Sequence, residues 1–235
     1  MSKYFLIGLL FSLPVFLAAP VHAGISLSNT RVIYEASQRE VTISVINDSK
    51  ENVYLIQSWV DMFTPTAESS DRKVPFLVTP PLFRLDGEQE NRLRIILTND
   101  TLPRDRESIF WLNVKAIPAL NENKTNLLLI SLKNRIKLFY RPEGLTEQLA
   151  ANACQKLTFS QKAGQLVVKN PTPFYISFYD IKLGSSSISE AGMVAPFSHQ
   201  QWALPIGSGN TITWRAINDY GGITEPQYQT LSSIQ

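Results

Sequence analysis

The chain is poor in the residues on which cross-links and reactive centres are most often built. Of 235 residues one is cysteine, Cys154, and two are histidine, His22 and His199. A lone cysteine excludes a disulfide within the chain, and a zinc site of the common type needs several His or Cys ligands, which are not there. Glycine-rich phosphate cradles are missing, and so is a Gly-x-Ser-x-Gly elbow that would give His199 a nucleophile to activate. Followed by Gln200 and Gln201, His199 reads as a polar turn residue, and Cys154 reads as a small buried apolar one. Neither charge is in excess: 22 Lys and Arg against 20 Asp and Glu leave +2, which provides no polyanion footprint and argues against nucleic acid as a partner. No cofactor or metal is expected. Carboxylates are scattered, and since β-sandwich glycosidases exist, paired acids are not excluded by sequence alone. The reading is nevertheless that the protein is not an enzyme.

Long apolar runs are also scarce. The one at the start, Tyr4 to Ala19, follows the basic head Met1-Ser2-Lys3, is interrupted by Pro14 and ends in Pro20-Val21-His22-Ala23. It is too short for a spanning helix, and the small residue that closes it marks a secretory signal peptide over 1–23, cleaved after Ala23. The mature chain then begins at Gly24 with no membrane insertion. Its length suits two domains of roughly 100 residues each.

What the sequence has in abundance is period-two patterning. Val41 to Ile46, Val53 to Val60 and Leu93 to Leu97 are short runs rich in β-branched and aromatic residues, separated by turn formers such as Asn47-Asp48-Ser49 and Asp86-Gly87. With Ile109 to Ile117 and a long run from Asn126 to Tyr140, the first half holds about seven strands, the count of an antiparallel sandwich. Arg141-Pro142-Glu143-Gly144 stops the pattern, because proline cannot donate to a ladder and glycine frees the backbone. The boundary therefore falls between a first domain, 24–142, and a second, 143–235. Leu157 to Gln161, Leu166 to Asn170, Tyr175 to Leu183 and Thr211 to Ile217 give the second domain the same style. The fold class is all-β, two sandwiches in series.

In the run before the boundary, Leu128, Ile130 and Leu132 share one face. An exposed edge strand of this kind would template pairing with another chain, whereas the same residues would equally line a core. Periodicity alone favours the core.

Leu102-Pro103-Arg104-Asp105-Arg106-Glu107-Ser108-Ile109-Phe110-Trp111-Leu112-Asn113-Val114-Lys115-Ala116-Ile117-Pro118 resembles the signature segment of the periplasmic pilus-assembly chaperones. Thr30-Arg31, Thr79-Pro80-Pro81, Ile136 to Pro142 and Asn218-Asp219-Tyr220-Gly221-Gly222 agree in order and spacing. The resemblance implies two immunoglobulin-like domains at an angle with a cleft between them, a periplasmic location, pilus or fimbrial subunits as partners and delivery to an outer-membrane usher. By resemblance, Leu128, Ile130 and Leu132 enter the open groove of a subunit that lacks a strand. Arg31 and Lys137 match the pair that holds the subunit's C-terminal carboxylate; without the motif each would read as a solvated cation. Glu107, Arg141 and Asp219 match an ionic link that sets the angle between domains, with an ordinary turn residue as the alternative for Asp219. Lys137 is odd-numbered and the apolar ladder even, so a bulge or strong twist between Leu132 and Lys137 is expected to bring both to one partner. The cysteine pair that many relatives carry in the second domain is missing. The short connection Ala119 to Thr125 resembles the subfamily that builds rod-like pili. The cis or trans state of Thr79–Pro80 stays open.

Two other readings remain. A pilus subunit or adhesin would show an N-terminal donor strand, a cysteine pair and an aromatic near its end, and Leu231-Ser232-Ser233-Ile234-Gln235 has no such aromatic. A sandwich hydrolase or sugar-binding domain would be revealed by a glycoside screen.

Overall fold

Alternating residues and turn formers build strands almost throughout the computed structural model, which describes residues 24–63, 74–99, 101–119, 129–204 and 209–231. The signal segment, the connection after Ala119 and Leu128 lie outside these residues. In the first domain the strands are β1 (Ile25–Leu27), β2 (Arg31–Glu35), β3 (Val41–Asn47), β4 (Tyr54–Met62), β5 (Phe76–Thr79), β6 (Leu82–Leu85), β7 (Glu90–Leu97), β8 (Ser108–Pro118) and β9 (Leu132–Arg141). They form two sheets, ordered β1-β3-β7-β5 and β2-β9-β8-β4-β6. Their inner faces close over a core that includes Tyr34, Val45, Ile56, Leu93, Phe110 and Leu138. Tyr34 and Phe110 both meet Phe76 edge-on, at 5.4 and 5.1 Å between ring centroids.

The second domain opens with the short helix α1 (Glu147–Ala151), capped by Thr146 Oγ1 accepting from the Leu149 amide. Its strands are β10 (Thr158–Lys162), β11 (Gln165–Lys169), β12 (Ile176–Leu183), β13 (Ser186–Ser187), β14 (Met193–Val194), β15 (His199–Ala203), β16 (Thr211–Ala216) and β17 (Gln227–Thr230). One sheet runs β10-β11-β15 and the other β13-β12-β16-β17, with β14 on β12. The second core gathers Leu166, Phe178, Ile181, Ile212 and Trp214 together with Cys154, a buried free thiol whose pKa burial raises. Both domains are immunoglobulin-like sandwiches.

Several expectations need correction. His199 is not a turn residue: it opens β15, an exposed edge strand, opposite Lys169 of β11. Edge strands tolerate polar residues on their solvent side, which is why His199, Gln200 and Gln201 read as a turn. β5 and β6 flank Thr79-Pro80-Pro81, and with four residues each they are too short for periodicity to announce. The Thr79–Pro80 bond is cis.

Of the long run before the boundary, the described residues begin at Leu129, and among them the strand starts at Leu132. The β8–β9 ladder pairs Ala116 with Leu132, and its next same-face step would set Ile130 against Pro118, which has no N–H to donate. That ladder is unbroken from Leu132 to Tyr140, so the expected bulge is absent. Even residues Ile136, Leu138 and Tyr140 turn into the core, while odd residues turn to the outer face of the sheet. A straight strand serves both sets at once.

One topological detail governs the site. After β1 pairs with β3, the chain crosses to the other sheet and β2 runs parallel to β9, from Arg31 beside Lys137 to Glu35 beside Arg141. β2 therefore covers only the second half of β9. Among the described residues no strand pairs with the free edge of residues 132–136, and the Asn134 side chain reaches across to Ile25 O at 3.3 Å.

Candidate functional site

The parallel β2–β9 register makes Arg31 and Lys137 lateral neighbours on the outer face, about 4.8 Å apart at the backbone. Both side chains point toward the second domain. Arg31 Nη1 donates to Ile217 O at 3.0 Å and Lys137 Nζ to Ser177 Oγ at 3.2 Å. The Arg31 guanidinium lies 5.7 Å from the Phe139 ring centroid, and its Nε is buried without a hydrogen-bond partner. Among the described residues neither cation has a carboxylate in ion-pair range. Burial lowers the pKa of Arg31; burial first, and then the charge of Arg31, lower that of Lys137. The charges of Asp219 and Glu107 offset only part of the burial at Arg31, and a carboxylate placed between the two cations would favour both.

Behind the pair stands the ionic link. Arg141, 2% exposed at its side chain, donates through Nε to Glu107 Oε1 at 2.9 Å and through Nη1 and Nη2 to Asp219 at 2.8 and 3.1 Å. Glu107 also accepts from the Tyr175 amide at 2.9 Å. Burial pushes the Glu107 carboxyl up to about 7, against the pull of Arg141 and that amide. Asp219 sits in a turn organised by Asn218, whose Oδ1 accepts from the Tyr220 and Gly222 amides, so the turn and ion-pair readings hold together. Gly221 has φ +84°, and a Cβ there would collide with Thr30 Oγ1, so only glycine lets this turn approach the first domain. Arg31, Phe139, Arg141, Tyr175, Ile217 and Asp219 line one cleft between the domains.

The apolar ladder lies at the other end of β9. Ile130 is 64% and Leu132 55% exposed, so neither fills the core of its own domain. Leu129 is exposed as well. From Leu132 to Lys137 is five residues, about 17 Å of strand. The structure thus aligns on one strand a desolvated cationic pair, an unpaired edge and exposed apolar side chains. Ser177 and Ile217, which hold the cations from the other domain, were not singled out in the sequence, and Ile217 acts through its carbonyl.

Two family models cover the chain: the pili and flagellar-assembly chaperone PapD N-terminal domain over residues 24–146, and the pili assembly chaperone PapD C-terminal domain over residues 152–228. The chain belongs to the pilus-assembly chaperones. The chaperone is 41% identical over 222 residues to the chaperone protein FimC of Escherichia coli O6:H1, spanning 93% of this chain and 89% of that one. The solved Salmonella enterica SafA pilin in complex with the SafB chaperone matches with a TM-score of 0.76 at 37% identity, covering 88% of this chain and 96% of the other. The periplasmic chaperone SfaE matches with a TM-score of 0.69 at 38% identity, over 87% and 98%. A chaperone role in pilus assembly follows for this protein.

Proposed function

We propose that this chaperone captures fimbrial subunits by lending them the free edge of β9, and then delivers them to an outer-membrane usher. The observation that carries the reading is the open edge at residues 132–136 between exposed Ile130 and Leu132 on one side and the half-buried Arg31–Lys137 pair on the other. A subunit strand added to that edge gains main-chain hydrogen bonds, and the subunit groove takes the apolar side chains, Leu128 included. Each docked Leu or Ile contributes up to about 1.5–3 kcal/mol from apolar burial, less the cost of ordering. Arg31 supplies a fork of donors and Lys137 a point charge for the subunit's terminal carboxylate. A fixed carboxylate sets the register, which matters because a slip of one residue turns every anchor to the wrong face.

The same reading places the protein in the periplasm after cleavage behind Ala23, divides it at Pro142 and assigns it no catalysis. Its test is co-expression with a fimbrial subunit. A stoichiometric periplasmic complex, with the chaperone beginning at Gly24 and the subunit degraded in its absence, is the expected result. A subunit equally stable without the chaperone would contradict the reading.

A further inference from the structure

The two domains also meet beside the ionic link, on a seat that the second domain builds. Asn170, fully buried, donates to Phe174 O at 2.7 Å and Ala195 O at 2.9 Å, and its Oδ1 accepts from the Thr172 amide and hydroxyl at 3.0 and 2.7 Å. This network joins the loop at 170–175 to the loop at 195–198. Onto it the first domain lays Glu107, whose amide donates to Pro173 O at 2.9 Å. The preceding residue, Arg106, sets its guanidinium 5.0 Å from the ring centroid of Phe197, aimed by three hydrogen bonds to Asp105 at 2.7, 3.0 and 3.2 Å.

Phe197 is an odd choice for its position. It holds φ +52°, a backbone region that bulky side chains rarely occupy, and it is 50% exposed, so it gains little from burial. Its amide is tied to Thr172 O at 3.1 Å, which keeps the strained conformation in register with the seat. Neither the local backbone nor the core accounts for an aromatic here, but the contact across the domain junction does.

We propose that Arg106 and Phe197 form an interdomain latch, separate from the Glu107–Arg141–Asp219 link, that fixes the opening of the cleft. By holding the angle, the latch positions Ser177 and Ile217 opposite Lys137 and Arg31. Its bearing on subunit capture rests on the function proposed above, whereas the latch itself is a property of the free protein and is tested there.

The experiment places spin labels at Arg92→Cys and Lys162→Cys in a Cys154→Ala background and measures the interdomain distance distribution, with thermal unfolding of the same proteins. Removing an exposed cation–aromatic contact raises the population of displaced orientations about two- to fivefold. Phe197→Gly and Arg106→Gln should each broaden the distribution, and the two together should broaden it no further. Phe197→Gly relieves the positive φ, so its thermal midpoint should match or exceed that of the parent. Phe197→Trp, which keeps a ring, should retain the narrow distribution. An unchanged distribution in Phe197→Gly and Arg106→Gln overturns the latch, whatever happens to stability. Broadening in only one of them, or broadening shared by Phe197→Trp, overturns it as well.

Discussion

Arg31 and Lys137 carry a desolvation cost that their neighbours in the fold offset only in part. Each is half-buried, each has its pKa lowered by burial, and the charge of Arg31 adds to the burden on Lys137. A residue that serves stability would be paired, as Arg215 is with Asp180 on the second domain. The prediction is therefore asymmetric: Lys137→Met should leave the thermal midpoint of the free chaperone equal or higher while capture of a subunit falls by well over tenfold, since losing one partner of a desolvated charged contact costs ~2–5 kcal/mol. Wild-type capture by Lys137→Met would remove the clamp from the account. The pH dependence has a definite sign. A cation with a lowered pKa in the free protein loses its proton earlier as pH rises, and a bound carboxylate favours the protonated form. Subunit affinity measured by titration should accordingly fall on the alkaline side, at lower pH than an ordinary lysine would give, and Lys137→Met should abolish that slope.

At the scale of the element, β9 does three jobs because a strand presents two faces and an edge. Its even residues from Ile136 onward hold the core, its odd residues from Lys137 onward face the second domain, and residues 132–136 leave one edge unpaired among the described residues. Period two, and therefore the sharing of a face by Leu128, Ile130 and Leu132, was legible in the sequence. What was not legible was where the core ends along that face, because that depends on β2 stopping its pairing at Lys137 and on Pro118 ending the ladder with β8. Both are long-range facts, so the same alternation read as core. Exposure of Ile130 leads to the second prediction: Ile130→Glu should melt close to the parent, since 64% of the residue is already exposed, yet should fail to capture subunits because a charge enters an apolar groove unpaired. Thermal unfolding and co-purification on the same protein decide it. Severe destabilisation, or normal capture, would contradict the assignment.

For the whole molecule, the account needs two sandwiches held at one angle, because the clamp takes Ser177 and Ile217 from one domain and Arg31 and Lys137 from the other. The Glu107–Arg141–Asp219 link joins the two domains, and Glu107 makes the stability of the fold depend on pH. Its carboxyl is raised from 4.5 to about 7, so the fold favours the protonated form: this contribution to stability is complete below 4.5 and is lost as pH rises through 7. Thermal midpoints measured from pH 4.5 to 8 should show that decline, and Glu107→Gln should flatten it. The two-domain order and the link were visible as motifs. The seat for Glu107 was not, since Pro173 and Tyr175 contribute only backbone atoms, which no residue type announces. The claim on which everything else depends is that the edge of β9 pairs with a subunit strand, and amide hydrogen exchange across residues 130–136, with and without a co-expressed fimbrial subunit, tests it most directly. Amides pointing away from β8 should exchange rapidly in the free chaperone and become strongly protected in the complex. A stable complex in which those amides exchange as fast as before would mean that the subunit is held some other way.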